Sequence, residues 1–326
     1  MANVWGDLDL LLDSPSSLTV TSTARGTIKE KAGFKAAEDV VALRKAIEGI
    51  GTTENTLVDV LTGRSNAQRQ LICKAYQEGH LSVLGNNLVP NITVNDHLSC
   101  TLCIPACYTH TQGPGTTEAT LTEIFASRSN KQIKALSDAY LAETGRSMTH
   151  DLKSEVSGDY ATTLLILAEG KRDESTNVDT AKAKADAKAL YEAGEKKWGT
   201  DESKFIDILC HRSVPQLRQT LVEYKALSNK TLQESIEREM SGNLEDLLVA
   251  IVKCVKSVPA YLAERLFKST KGVGTTESIL TRIMVGRSEM DMLDIRAEFK
   301  KLFGCSLYST IKVFADNLDR KLCHHR

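Results

Sequence analysis

No apolar run in the 326 residues approaches the roughly 20 that a membrane-spanning helix requires; the best, "LLVAIV" at 247–252, has the length of a buried helix face. A transmembrane helix is therefore not expected. Neither charge is in surplus, with 41 basic residues against 42 acidic ones and a formal charge of −1. No nucleic-acid surface can rest on that balance, so any anionic partner must be met locally. The first residues, "MANVWGDLDLLLDS", hold no basic leader and place Asp7 and Asp9 where a secretory signal is apolar, which makes the cytoplasm the expected location. Eight cysteines are too few in a chain this long for a disulfide scaffold. Only Cys100, Cys103 and Cys107 cluster. With His110 nearby they have zinc-ligand chemistry but not the spacing of a recognised finger, and incidental thiols are the expectation. No Ser, Cys or His falls in a nucleophile motif and the seven histidines share no repeated position, so no catalytic residue and no enzyme activity are expected.

What the chain does have is 41% apolar residues, enough for a substantial core, and an internal repeat. Four openings recur: "GIGTTE" (49–54), "GPGTTE" (113–118), "KWGTDE" (197–202) and "GVGTTE" (272–277). With Gly51, Gly115, Gly199 and Gly274 as origins, an Arg-Ser pair lies 13 residues on in every copy, at Arg64, Arg128, Arg212 and Arg287. An aromatic lies 25 residues on, at Tyr76, Tyr140, Tyr224 and Phe299, and these are read as core. Offsets 6, 9 and 10 are apolar throughout, from Leu57, Val60 and Leu61 in copy 1 to Leu280, Ile283 and Met284 in copy 4. Such spacing is the stripe of an amphipathic helix, so each glycine loop feeds a helix with one buried face. The Thr after each origin glycine is expected to be the N-cap, with Glu54, Glu118, Glu202 and Glu277 in the first turn against the dipole. The Arg-Ser pairs are expected to tie helix ends together. The fold class is all-α, in four helical modules. Residues 169–186, rich in charge and small side chains, read as a solvated linker and hinge between two halves.

A glycine loop of this kind could hold a nucleotide phosphate or a metal ion, or simply open a helix. A phosphate loop requires Gly-Lys-Ser/Thr after a strand, and no copy has that lysine; a dinucleotide fingerprint lacks its third glycine. A hard cation such as Ca2+ needs about 6 to 8 oxygens, usually including a bidentate carboxylate. Forty residues after the origin, copy 2 has Glu155 in "LKSEVSGD" and copy 3 has Glu239 in "IEREMSGN". A shared offset in a shared Glu-x-Ser-Gly context is specific, and it suits a module that returns beside its own first loop.

These residues resemble the annexin family over about 36–77 and 113–312, with "RSNAQRQ" at 64–70 and "PAYLAERL" at 259–266 close to family wording. The resemblance implies four repeats of about five helices forming a curved disc. It divides the chain into a variable tail (1–35), repeat 1 (36–100), repeat 2 (101–170), linker with repeat 3 (171–257) and repeat 4 (258–326). It implies calcium-dependent peripheral binding to acidic phospholipid membranes, Ca2+ bridging loop carbonyls and a distal carboxylate to lipid phosphates. Carried over by position, copy 2 would use carbonyls of Thr111, Gly113 and Gly115 with Glu155, and copy 3 those of Gly194, Lys197 and Gly199 with Glu239. Trp198, at the tip of the third loop, would meet the lipid interface. Weaker or partial calcium sites would involve Ile47, Gly49, Gly51 and Glu54 in copy 1, and Thr270, Gly272, Gly274 and Glu277 in copy 4.

The outer copies depart from the pattern. The distal acid is replaced by Asn91 in copy 1 and Phe314 in copy 4; residues 78–112 lack the helix stripe, and the chain ends without a closing helix like "DYATTLLILAEG". The rival function is a calcium-independent helical scaffold binding protein partners through its concave face or its N-terminal tail. No nucleic-acid partner is expected.

Overall fold

The computed structural model describes residues 25–48, 54–78, 118–195, 199–271 and 276–323. All regular structure among them is helical. Copy 1 contributes α1 (Ala36–Glu48), α2 (Glu54–Thr62) and α3 (Asn66–Glu78). Copy 2 contributes α4 (Glu118–Ser127), α5 (Asn130–Thr144), α6 (Met148–Glu155) and α7 (Gly158–Ala168). Copy 3 is described in five helices: α8 (Thr180–Ala193), α9 (Glu202–His211), α10 (Val214–Ser228), α11 (Leu232–Glu239) and α12 (Asn243–Lys256). Copy 4 contributes α13 (Val258–Ser269), α14 (Thr276–Gly286), α15 (Met292–Phe303) and α16 (Leu307–Cys323).

The repeated sequence positions explain the repeated structure. In copies 2 and 3 the serine of the Arg-Ser pair caps the helix that follows it: Ser129 Oγ accepts the Gln132 N–H while Gln132 Oε1 accepts the Ser129 N–H, and Ser213 Oγ accepts from Gln216 N–H at 3.4 Å. The arginine ties that turn to the first helix. Arg64 makes a bidentate pair with Asp39 of α1 at 2.6 and 2.7 Å, and Arg212 with Asp186 of α8 at 2.8 and 3.0 Å. Because α13 carries no aspartate, Arg287 turns instead to Asp291, four residues on. Apolar stripes and repeated aromatics point inward, with Tyr140, Tyr224, Phe205 and Phe299 fully buried.

Copies 2 and 3 share one core, running from Leu121 in α4 to Val255 in α12. The segment between them is shorter than the linker read from composition, since residues 180–193 are helical. Asp179 caps α8 by accepting the Lys182 N–H at 3.0 Å, and Ala183, Ala187 and Leu190 bury its inner face. Nor is the charge run all solvated. Arg172 donates to the carbonyls of Leu209 (2.6 Å) and Arg212 (3.0 Å), and the Asn130 amide clamps the Arg172 main chain on both sides.

Part of the tail is likewise structural. Residues 25–28 lie along copy 4, where Ser288 O accepts from the N–H groups of Thr27 and Ile28, and Arg25 O accepts from Leu293 N–H. Gly26 approaches Glu289 so closely that a Cβ would sit 2.4 Å from its carbonyl carbon, which only glycine allows. Glu289 in turn accepts from Asn66 N–H and Arg69, so copies 1 and 4 are joined through one carboxylate.

Helix α6 of copy 2 and α11 of copy 3 each have 8 residues and stop at the offset of the acid. In copy 4 the corresponding helix, α16, has 17 residues and passes straight through Phe314. No Ser-Gly follows Phe314, and the helix continues through that offset.

Candidate functional site

The site is built where α8 meets α9 and α11 meets α12. Helix α8 ends at Ala193, whose carbonyl accepts from Asp201 N–H at 2.9 Å and ties the end of α8 to the start of α9. Gly194 caps α8, and a Cβ at this position would come within 3.3 Å of the Phe205 ring. Gly199 sits at φ +87°, a left-handed conformation that costs a side chain dearly. Across the site, α11 ends at Glu239, and Gly242 at φ +79° turns the chain into α12.

One side chain joins the halves. Thr200 Oγ1 donates to the Glu239 carbonyl at 3.2 Å, which fixes the end of α11 against the first loop. The expectation that this threonine caps α9 is overturned: Asp201 is the N-cap residue, and the Thr200 hydroxyl is spent on the cross-link. Glu202 does lie in the first turn of α9, as Glu118 does in α4 and Glu54 in α2.

The Glu239 carboxylate is half-buried and accepts Nε and Nη2 of Arg238 on a single oxygen, at 2.9 and 2.7 Å. Arg238 also reaches Glu195 in the first loop at 2.5 Å, and Glu195 further accepts from Lys230 (3.2 Å) and Ser235 (3.0 Å). Burial pushes the Glu195 carboxyl up, but the bonds from Arg238, Lys230 and Ser235 outweigh it and hold it below the ordinary carboxylate range. Glu195 and Arg238 were not legible as site residues, because neither occupies a repeated offset.

In copy 2 the same construction is present in its distal half. Glu155 is the last residue of α6 and is exposed, and Gly158 at φ +66° opens α7. The Tyr160 hydroxyl donates to the Glu118 carbonyl at 3.0 Å, which brings the turn after Glu155 beside the start of α4. Burial raises the Tyr160 hydroxyl to about 12, so it stays protonated and keeps that bond.

Thr111, Gly113, Gly115, Lys197, Trp198, Gly49, Gly51, Gly272 and Gly274 lie outside the described residues, as do Cys100, Cys103, Cys107, His110 and Asn91. The Glu277 side chain does too, although its backbone is the second residue of α14. Ile47 is in the last turn of α1 and Glu54 opens α2. Thr270 caps α13, its hydroxyl donating to Phe267 O at 2.9 Å. Among the described residues no helix is long and apolar enough to cross a membrane.

Between them the two turns carry main-chain carbonyls and the Glu239 carboxylate. That donor set fits a hard divalent cation and offers no soft ligand. Known proteins agree with the repeat. The annexin family pattern matches residues 38–82, 107–167, 185–251 and 261–322. Annexin A3 of Mus musculus is 50% identical over 296 residues, covering 88% of this chain and 92% of the relative, and annexin A4 of Sus scrofa is 44% identical over 299 residues, covering 88% and 92%. Among solved structures, annexin III superposes with a TM-score of 0.81 at 47% identity, covering 90% of this chain and 94% of that one. A calcium-bound annexin (Sm)1 superposes with a TM-score of 0.72 at 32% identity, covering 89% of each chain. Four matched repeats and this level of identity along nearly nine-tenths of the chain place it in the annexin family.

Proposed function

We propose that the chain binds acidic phospholipid membranes peripherally and in a calcium-dependent way, through copies 2 and 3. The reading is supported by one observation above the others, the bond from Thr200, next to Gly199, to the main-chain carbonyl of Glu239. In copy 3, Ca2+ would take the carbonyls of Gly194, Lys197 and Gly199 with the Glu239 carboxylate; in copy 2, those of Thr111, Gly113 and Gly115 with Glu155. Two carbonyl clusters and two acids leave coordination positions open, which lipid phosphate oxygens complete. Trp198, between Lys197 and Gly199, would enter the headgroup region, where an indole finds both apolar contact and a hydrogen-bond partner.

The protein's own residues do no covalent chemistry in this scheme, which is binding and not catalysis. Membrane association would be reversible and from the cytosolic face. Copies 1 and 4 would contribute weaker sites at Ile47, Gly49, Gly51 and Glu54, and at Thr270, Gly272, Gly274 and Glu277. Passage of α16 through Phe314, a side chain with no oxygen to offer, supports a lesser role for copy 4. The tail ahead of α1 is left for a protein partner.

Sedimentation with phosphatidylserine vesicles tests the reading. The wild type is expected to pellet in calcium and stay in solution in EGTA, while Glu155→Gln with Glu239→Gln stays in solution in both. Equal pelleting by the double variant would remove copies 2 and 3 as the working sites.

A further inference from the structure

At the ends of the helices remote from the glycine loops, a cavity of about 510 Å³ opens among copies 2, 3 and 4. Helices α4 and α9 each have 10 residues, so roughly 15 Å of helix separates it from the loops. Three guanidinium groups line it: Arg128 after α4, Arg172 in the segment before α8, and Arg287 after α14. Three helices also start on it, α5 behind Ser129, α10 at Val214 and α13 at Val258. Each such terminus carries about half a positive charge.

The negative charge on its lining does not cancel this. Asp173 and Glu174 are both exposed, and the Asp173 oxygens are occupied by the Ser175 N–H (2.8 Å) and hydroxyl (2.9 Å). Inside, Arg172 directs its charge at two carbonyls, those of Leu209 and Arg212. Burial pulls its guanidinium below the ordinary value, the mark of a cation held without a neutralising anion. Arg287 is 7% exposed; it gives Nε and Nη2 to Asp291, while its Nη1 is buried with no hydrogen-bond partner. A buried donor in that condition is unfavourable until an acceptor arrives.

From these three arginines, three helix starts and one orphaned donor, we propose that the cavity binds a phosphate group. The volume lies in the range of small-molecule sites, larger than phosphate alone, and Ile251 and Val255 supply an apolar wall for an organic substituent. The ligand class is thus a phosphate monoester. On a calcium-bound membrane the cavity would face away from the bilayer, which favours an ester in solution over a lipid headgroup.

The test uses the full chain in EGTA, so that no calcium-held phosphate contributes and failure of the calcium sites leaves the result untouched. Inorganic phosphate is titrated by calorimetry at constant ionic strength against chloride. Saturable one-to-one binding is expected, weakened at least tenfold by Arg128→Gln and by Thr176→Asp, the latter adding a negative charge at an exposed lining position. Thermal midpoints without phosphate show that both variants fold. A second arm sediments phosphatidic acid vesicles in EGTA. Pelleting by the wild type that Thr176→Asp abolishes identifies the phosphate as a headgroup, and phosphate binding without pelleting identifies a soluble ester. Absence of saturable binding in both arms, or binding that neither variant weakens, overturns the proposal.

Discussion

The Thr200 hydroxyl and the Glu239 carbonyl meet at 3.2 Å although 39 positions separate them in sequence. This bond is the mechanical link between the start of α9 and the end of α11. Thr200→Val keeps the shape and removes the donor. A net loss of about 0.5–1.5 kcal/mol corresponds to a rise of roughly 2- to 10-fold in the calcium needed for half-maximal vesicle binding. Calcium titration of vesicle sedimentation reads the shift, and an unchanged midpoint would show that the link plays no part in the site.

Arg238 engages the Glu239 carboxylate itself, with two N–H groups on one of its oxygens. A bidentate calcium ligand needs both oxygens, so the arginine must let go before the ion is fully held. Arg238→Gln is expected to lower the half-maximal calcium concentration, and the gain should shrink as salt is raised, since exposed charges are screened. A higher calcium requirement in the variant would instead mean that Arg238 positions Glu239.

Stability far from the loops depends on Glu123 of α4. It is fully buried and accepts from Arg282 at 2.8 and 3.1 Å and from Arg265 at 3.4 Å, joining copy 2 to copy 4. Glu123→Ala leaves buried positive charge uncompensated and should cost about 3–5 kcal/mol. Glu123→Leu with Arg282→Met should recover most of that loss. Thermal unfolding followed by circular dichroism checks both, and a double variant no better than the single one would contradict the account.

Glu264 sets a pH dependence. Burial pushes its carboxyl up, yet Lys253 and Lys268 outweigh that and hold it below the ordinary value of 4.5. A depressed folded-state value means that the stabilisation is present above the unfolded value and fades as pH falls through the folded one. The difference in Tm between wild type and Glu264→Gln should therefore be full near neutral pH and close below pH 4.5. A difference that persists in acid would assign the effect to packing.

Much of this was legible in the chain itself. Four glycine origins, an arginine, an aromatic and an apolar stripe at constant offsets determined an all-helical repeat, because a side chain's place on a helix follows directly from its spacing. Glu155 and Glu239 stand out by sharing an offset, and both are the last residues of their helices. Tertiary structure decided the rest, since it depends on which ends of helices meet. Thr200 became a cross-link instead of a cap because α11 ends within reach of its hydroxyl, and Glu195 and Arg238 entered the site only when the two loops came together. Composition read 169–186 as open linker, while packing made residues 180–186 the start of α8 and turned Arg172 inward. Periodicity reports what each residue does within its own helix; the contacts between residues of different helices arise only when the chain has closed on itself.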